Sequence, residues 1–408
     1  MKRVILHVSH SDRVGGAAIA ARRLVEAQRK LGLDAHMLVI DKRGGEGWIN
    51  EAAADTKAKA RAARFVAKRL LRRDNSPAAG TMRTAAVLPT GLGREIAGIA
   101  PDVVHLHWLG SEAISVRELG KLALPTVWTC HDQWAFCGTE HYAPDEGYRH
   151  GYKGRDRFDA DVGAWKRKKR HWRGFAPTLA CPSRWMADCA ARSDIAGQWP
   201  SVVIPNTLDT SVFSPLDRDQ ARKSLGLPEG ELVLFGADAG DRDRRKGYDL
   251  LLDALAKLRT RDQVALVTFG GAAKSVGEVA GLPCHALGKV SDPAMLTRLY
   301  SAADLFVVPS RADNLPNTMV EAQCCGTRSV GFDVGGLGDI VSAPHLGELV
   351  PAFDTGKLAA AIDRQLAAEP DRERIRTDAL AHFGNKPVVD AFSRLYDALI
   401  AKEQGVGC

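Results

Sequence analysis

The sequence predicts an α/β fold built of two doubly wound halves. Three observations carry that expectation. Short apolar runs alternate with helical patterns along the whole chain. At 408 residues the chain exceeds what one core usually serves, so two domains of roughly 200 residues are expected. The series of strand runs is also broken once, where Pro205-Asn206 closes one run and a stretch rich in proline and charge (213–231) precedes the next.

In the first half the strand runs fall at 4–8, 36–40, 103–107, 126–129, 178–180 and 202–204. The first leads through Gly15-Gly16 into a helical pattern at 17–31, which closes before Gly32 with Lys30 in its last turn. In the second half the runs fall at 232–235, 265–269, 284–287, 305–308 and 329–332, with helices at 248–258, 293–302 and 317–325 between them. These readings give domains at 1–205 and 206–386, and an amphipathic helix at 387–408 that packs back on either half. Two such sheets facing each other would hold ligands in a cleft at the carboxyl ends of their strands.

No run approaches the roughly 20 apolar residues of a membrane span, and the apolar stretch after the basic start, Met1-Lys2-Arg3, is too short for a signal peptide. The eight cysteines show no Cys-x-x-Cys spacing, as expected of core thiols in a reducing cytoplasm. Net charge is +7 and concentrated in the first half. Residues 57–73 carry eight Lys or Arg and no acid, and residues 165–173 carry six more. On a helical wheel Ala63, Val66, Ala67, Leu70 and Leu71 share one arc, opposite Lys57, Arg61, Arg64, Lys68 and Arg72. Such a helix either lies on an anionic membrane, peripheral to its inner face, or packs on its own domain with a solvated basic side. Nucleic acid is not an expected partner, for no binding motif or aromatic stacking platform is present.

The chemistry concentrates at Asp313-Asn314-Leu315-Pro316-Asn317-Thr318-Met319-Val320-Glu321. A strand run enters a polar loop, and a helix follows with Pro316 in its first turn and Gly326 near its end. That arrangement aims a helix N-terminus at its guest, and a diphosphate suits it. Asp313 lies in the loop and Glu321 about two turns into the helix. The two acids would therefore touch different parts of one elongated ligand, or else be an exposed loop acid and an ordinary helix acid.

This segment resembles the Glu-x7-Glu motif of glycosyltransferase family 4, a retaining family with the two-domain GT-B fold. Asp313 stands where the first Glu is expected, one methylene shorter, as in polysaccharide-assembly members. The resemblance implies that Asp313, with Asn314 and Leu315 beside it, meets the donor sugar and that Glu321 binds the nucleotide ribose. Arg245-Lys246-Gly247-Tyr248-Asp249 is similar to the family's Lys-Gly stretch, which implies that Lys246, partnered by Arg245 or Arg242, holds the donor pyrophosphate. A solvated charged loop is the other reading of those residues. Val203-Ile204-Pro205-Asn206-Thr207-Leu208-Asp209 resembles the family's interdomain hinge, with Asn206 and Asp209 as holding residues. Gly15-Gly16 resembles the family's Gly-Gly loop beside the donor phosphate, where only residues without a side chain permit the approach.

The stretch Thr129-Cys130-His131-Asp132-Gln133-Trp134 matches the family's Thr-x-His-Asp-x-Trp region, placing His131, Asp132 and Trp134 on the acceptor side; the other reading of His131 is a satisfied core residue. His105 and His107 share a strand face. They lack a third ligand of supporting spacing, so no metal site is expected, and His107 is taken as a strand end lining the acceptor side. The resemblance implies metal-independent transfer, without a cofactor, from a UDP- or GDP-sugar to a glycan or lipid-linked acceptor of bacterial cell-surface polysaccharide. A nucleotide-sugar epimerase or hydrolase on the same scaffold, and a non-catalytic basic binding protein, are the alternatives.

Overall fold

The computed structural model describes residues 3–72, 81–156, 158–236, 243–271, 274–403 and 405. The chain divides into two compact units, one of residues 1–205 and 388–408, the other of residues 206–387.

The first unit holds a seven-stranded parallel sheet: β1 (Val4–Ser11), β2 (Asp34–Asp41), β3 (Ile49–Glu51), β4 (Val103–Leu106), β5 (Thr126–Thr129), β6 (Thr178–Cys181) and β7 (Ser201–Val203). Its order is β3-β2-β1-β4-β5-β6-β7. The central strands β4, β5 and β6 are buried along their whole length because helices cover both faces. One face is packed by residues such as Leu92, Ile96 and Trp172. The other is packed by Leu24 and Val25 of the helix Gly16–Lys30 and by Val388, Val389, Phe392 and Tyr396 of the C-terminal helix Asn385–Glu403.

The second unit holds β8 (Glu231–Gly236), β9 (Val264–Phe269), β10 (Lys274–Val279), β11 (Leu282–Leu287), β12 (Leu305–Val308), β13 (Ser329–Phe332) and β14 (Gly347–Val350), in the order β10-β11-β9-β8-β12-β13-β14. Only β10 runs antiparallel, joined to β11 through Ala280 and Gly281 at φ 52° and 74°, the backbone of a tight hairpin. Both faces of this sheet are covered, by clusters around Met319 and Tyr300 on one side and Leu251 and Leu358 on the other.

The three strands absent from the sequence reading, β3, β10 and β14, lie at sheet edges or are short and polar, without the continuous apolar run of a buried strand. In each sheet the strand order reverses once, between β1 and β4 in the first unit and between β8 and β12 in the second. At such a point the flanking loops run to opposite faces and open a crevice at the strands' carboxyl ends.

Glycines shape these loops for two different reasons. Gly15, at φ 86°, would put a Cβ in open space, so the backbone angle alone demands it. Gly335, at φ 59°, would put a Cβ 1.8 Å from the Asp313 carbonyl oxygen, so angle and space both demand it. Gly15→Ala should therefore lower stability by about 1–2 kcal/mol, the left-handed strain alone. Gly335→Ala should lose clearly more; equal losses of urea midpoint in the two variants would contradict this.

Candidate functional site

In the second unit the reading converges on the reversal between β8 and β12. The loop after β8 brings Arg245 and Lys246, and the loop after β12 brings Asp313. Lys246 Nζ donates to Asp313 Oδ2 at 2.6 Å, and Arg245 Nη1 stands 3.5 Å from the same oxygen. Arg245 also donates to the Ala312 carbonyl, and the Arg311 N–H donates to the Arg245 carbonyl at 2.7 Å, which ties the two loops together. A third loop, after β13, lies against them: the Gly336 N–H donates to the Asp313 carbonyl at 3.0 Å.

Asp313 is 6% exposed. Burial pushes its carboxyl up, but the Lys246 and Arg245 cations, the Lys246 hydrogen bond and the Asn314 N–H outweigh that and hold it below the usual aspartate range. Asn314 and Leu315 are buried beside it. Helix Asn317–Cys324 begins directly afterwards, with Pro316 as its N-cap residue, one step earlier than expected, and no side chain caps it. Glu321 lies one turn past Asn317, nearer the helix start than expected, and its buried carboxylate accepts from Tyr300 Oη at 2.7 Å. Asn206 Nδ2 donates to Asn317 Oδ1, and Asp209 accepts from Ser211. Arg242 lies outside the described residues.

In the first unit the loops after β1, β4 and β5 carry the candidate residues. Gly15 turns the chain into the helix that Gly16 opens. Buried Asp12 caps the neighbouring loop by accepting from the Arg43 and Gly44 N–H groups. The loop after β5 is held from beneath by Lys168, which is buried and donates to the carbonyl oxygens of Trp134, Cys137 and Gly138. Its ammonium lies 4.1 Å from the Trp134 ring centre, and burial pulls its pKa down to about 7. His131 Nε2 stands 3.0 Å from His107 Nδ1. Burial pulls His131 down to about 4, although Asp132 opposes that, so near neutral pH it is an uncharged imidazole. Asp132 pairs with His141, not His131: its Oδ2 lies 2.5 Å from His141 Nδ1. A small pocket is lined by His107, Trp108, His131, Asp132, Trp134 and His141 among others.

Two family models match this chain, "Glycosyltransferase Family 4" over residues 14–212 and "Glycosyl transferases group 1" over residues 231–368. The chain belongs to glycosyltransferase family 4. It is 34% identical over 260 residues to a D-inositol 3-phosphate glycosyltransferase of Catenulispora acidiphila, a match covering 57% of this chain and 61% of that protein. It is 36% identical over 194 residues to one of Segniliparus rotundus, covering 45% and 42%. The chain thus spans about two fifths to three fifths of the length of these curated relatives. Its fold is GT-B, shared with sucrose-phosphate synthase of Thermosynechococcus elongatus (TM-score 0.69, 21% identity, 98% of this chain and 100% of that one). It is shared also with Anabaena HepE solved with UDP-glucose (TM-score 0.66, 16% identity, 97% and 99%).

Against this family background several expected placements change. Trp134 belongs to the core: its indole N–H donates to the Thr84 carbonyl, and its ring packs on Trp128 and Trp172. His107 is buried behind His131 and lines the same small pocket. Lys168 leaves the basic surface for the interior. His105 and His107 do gain a third histidine, His7 from β1, with ligand atoms within 4.8 Å of one another. Register explains the omission: His7 pairs with His105 across β1 and β4, a juxtaposition that linear spacing does not display. His141 was missed because its partner Asp132 stands nine residues away across a loop of irregular backbone.

The Asp313 pair has a measurable signature. Lys246→Met leaves a buried carboxylate without its nearest cation, and should destabilise the ligand-free protein by about 1–3 kcal/mol; adding Asp313→Asn should restore part of the loss. Because the folded pKa of Asp313 is depressed, its stabilisation is complete above about pH 4 and is lost as pH falls through the folded value. The stability gap between wild type and Asp313→Asn should therefore shrink as pH falls below about 4. A gap independent of pH there would refute the pairing.

Proposed function

We propose that this chain transfers a sugar, with retention of anomeric configuration, from a UDP- or GDP-sugar to a glycan or lipid-linked acceptor in the building of a cell-surface polysaccharide. The observation that carries the reading is the meeting of Lys246, Arg245 and Asp313 at the strand-order reversal, directly ahead of an uncapped helix N-terminus. Such a site presents cations and helix N–H groups to a diphosphate and a carboxylate to sugar hydroxyls. In the ligand-free protein Lys246 and Asp313 neutralise each other. A donor would separate them: the diphosphate takes Lys246 and Arg245, while Asp313 turns to the sugar. Glu321 would hold the ribose.

His131, with Asp132 beside it, serves the acceptor half of the reaction. The new bond joins the acceptor oxygen to the anomeric carbon as the bond from that carbon to the phosphate oxygen breaks. The departing diphosphate takes the acceptor proton. Charge on that diphosphate is met by Lys246 and Arg245, so no metal is needed in this scheme. The D-inositol 3-phosphate glycosyltransferases and the UDP-glucose-bound HepE among its relatives support a nucleotide-sugar donor.

A membrane-bound acceptor is supported by the helix Ala54–Leu71. It packs through Ala60, Ala63 and Ala67, so the buried arc is narrower than the sequence implied. Phe65, 71% exposed, stands among exposed Arg61, Lys68, Arg69 and Arg72, and Leu70 is exposed as well. Arg73 lies outside the described residues. An aromatic ring set in a basic face suits an anionic bilayer surface.

A thermal-shift screen of nucleoside diphosphates should single out one base, because a bound donor stabilises the fold by mass action. Glu321→Ala should abolish that shift, and a shift of full size in this variant would remove Glu321 from the donor site. The product should keep the donor's anomeric configuration; an inverted product would overturn the mechanism. Phe65→Ser should weaken binding to phosphatidylglycerol vesicles roughly tenfold relative to wild type, the equivalent of about 1.4 kcal/mol. Equal binding by the two proteins would leave the helix a packing element.

A further inference from the structure

Four histidines pack into one column in the first unit, His7 tilted against His105 and the other ring contacts stacked. Ring centres lie 4.7 Å apart for His7–His105, 4.3 Å for His105–His107 and 5.3 Å for His107–His131. His7, His105 and His107 are completely buried, so each neutral ring must place one donor and one acceptor nitrogen. Each does so. His7 Nε2 lies 2.8 Å from Gln28 Oε1, His7 Nδ1 lies 2.9 Å from His107 Nε2, and His107 Nδ1 lies 3.0 Å from His131 Nε2. From the far side of Gln28, its Nε2 donates to Tyr396 Oη. That hydroxyl lies 2.7 Å from His105 Nδ1, and His105 Nε2 lies 2.7 Å from Thr129 Oγ1.

The chain has one direction. Gln28 Oε1 can only accept, so His7 carries its proton on Nε2 and accepts at Nδ1. His107 must then donate from Nε2 and accept at Nδ1, and His131 must donate from Nε2. On the other branch Tyr396 Oη accepts from Gln28 and so donates to His105, which in turn donates from Nε2 to Thr129. The buried amide of Gln28 thus dictates the tautomer of a histidine three hydrogen bonds away.

We propose that Gln28, His7 and His107 are positioning residues that hold His131 in its Nε2–H tautomer, which fixes its Nδ1 as a hydrogen-bond acceptor. This rests on the reading that His131 serves the transfer reaction. Burial pulls His7 and His131 down to about 4 and holds His105 and His107 well below the usual histidine range, so the column stays uncharged and the direction of its hydrogen bonds persists across the physiological range. The same three inner histidines invite a metal, but their ring nitrogens are already engaged with one another, with Gln28, Tyr396 and Thr129 and with His131.

The test is a long-range proton–nitrogen correlation spectrum of full-length protein labelled with nitrogen-15 at histidine. His7, His105, His107 and His131 should all show the Nε2–H tautomer, and zinc added at one equivalent should leave them unchanged. An Nδ1–H tautomer at His131, or zinc-induced shifts at His7 and His107, would overturn the proposal. Gln28→Met keeps the volume and removes the acceptor. It should leave His131 in mixed tautomers and lower kcat at least about tenfold, with the Kd for nucleoside diphosphate unchanged. Wild-type His131 spectra and kcat in that variant would also overturn the proposal. Should the protein prove to have no transferase activity, the spectra still decide the relay by themselves. Should Gln28→Met fail to fold, the wild-type tautomers remain a complete test.

Discussion

A sheet of parallel strands delivers every strand-to-helix loop to the same edge, and a single reversal of strand order parts two of those loops. In this chain that constraint acts twice, between β1 and β4 and between β8 and β12. In the second unit it brings a cation-rich loop and an acid-bearing loop into contact from positions 67 residues apart. In the first unit it sets a glycine turn beside the strand that ends at a histidine column. The strands themselves are apolar and interchangeable in kind. What varies is what each loop carries to the common edge.

Two electrostatic arrangements follow, and they are opposites. Around Asp313 the protein gathers charges and lets them neutralise one another, so the carboxylate stays ionised despite burial. Around His131 it gathers titratable rings and strips them of charge by burial, so that hydrogen-bond direction replaces charge as the organising quantity. Lys168 sits between these extremes. Its ammonium is paired with carbonyl dipoles and aromatic faces instead of a carboxylate, and it fixes the backbone that carries His131, Asp132 and Trp134. The first arrangement suits a group that must exchange partners when a ligand arrives. The second suits a group that must not move.

Local pattern made much of this legible. The central strands could be read from their apolar runs, and the helices Pro293–Ala302 and Asn317–Cys324 from Pro and Gly punctuation. The Asp313–Glu321 segment could be read from loop and helix chemistry, and its likeness to family 4 motifs agrees with the family models that match the chain. What escaped was what depends on register and on three-dimensional partners. His7 meets His105 only through strand pairing. Tyr396 reaches Gln28 from 368 residues away. Lys168 reads as one more cation in a basic run until its helix face is known to be the buried one. Asp132 reads as the partner of the histidine beside it, whereas a residue across the loop takes its place.

The central claim is that Lys246 exchanges Asp313 for a donor diphosphate. It is tested most directly by calorimetric titration of the Asp313→Asn protein with a nucleoside diphosphate that carries no sugar. If the exchange is correct, removing the carboxylate frees the lysine beforehand, and the diphosphate binds more tightly to this variant than to the wild-type protein. Weaker binding by Asp313→Asn would contradict the account, because it would make Asp313 a support for the diphosphate and not its competitor.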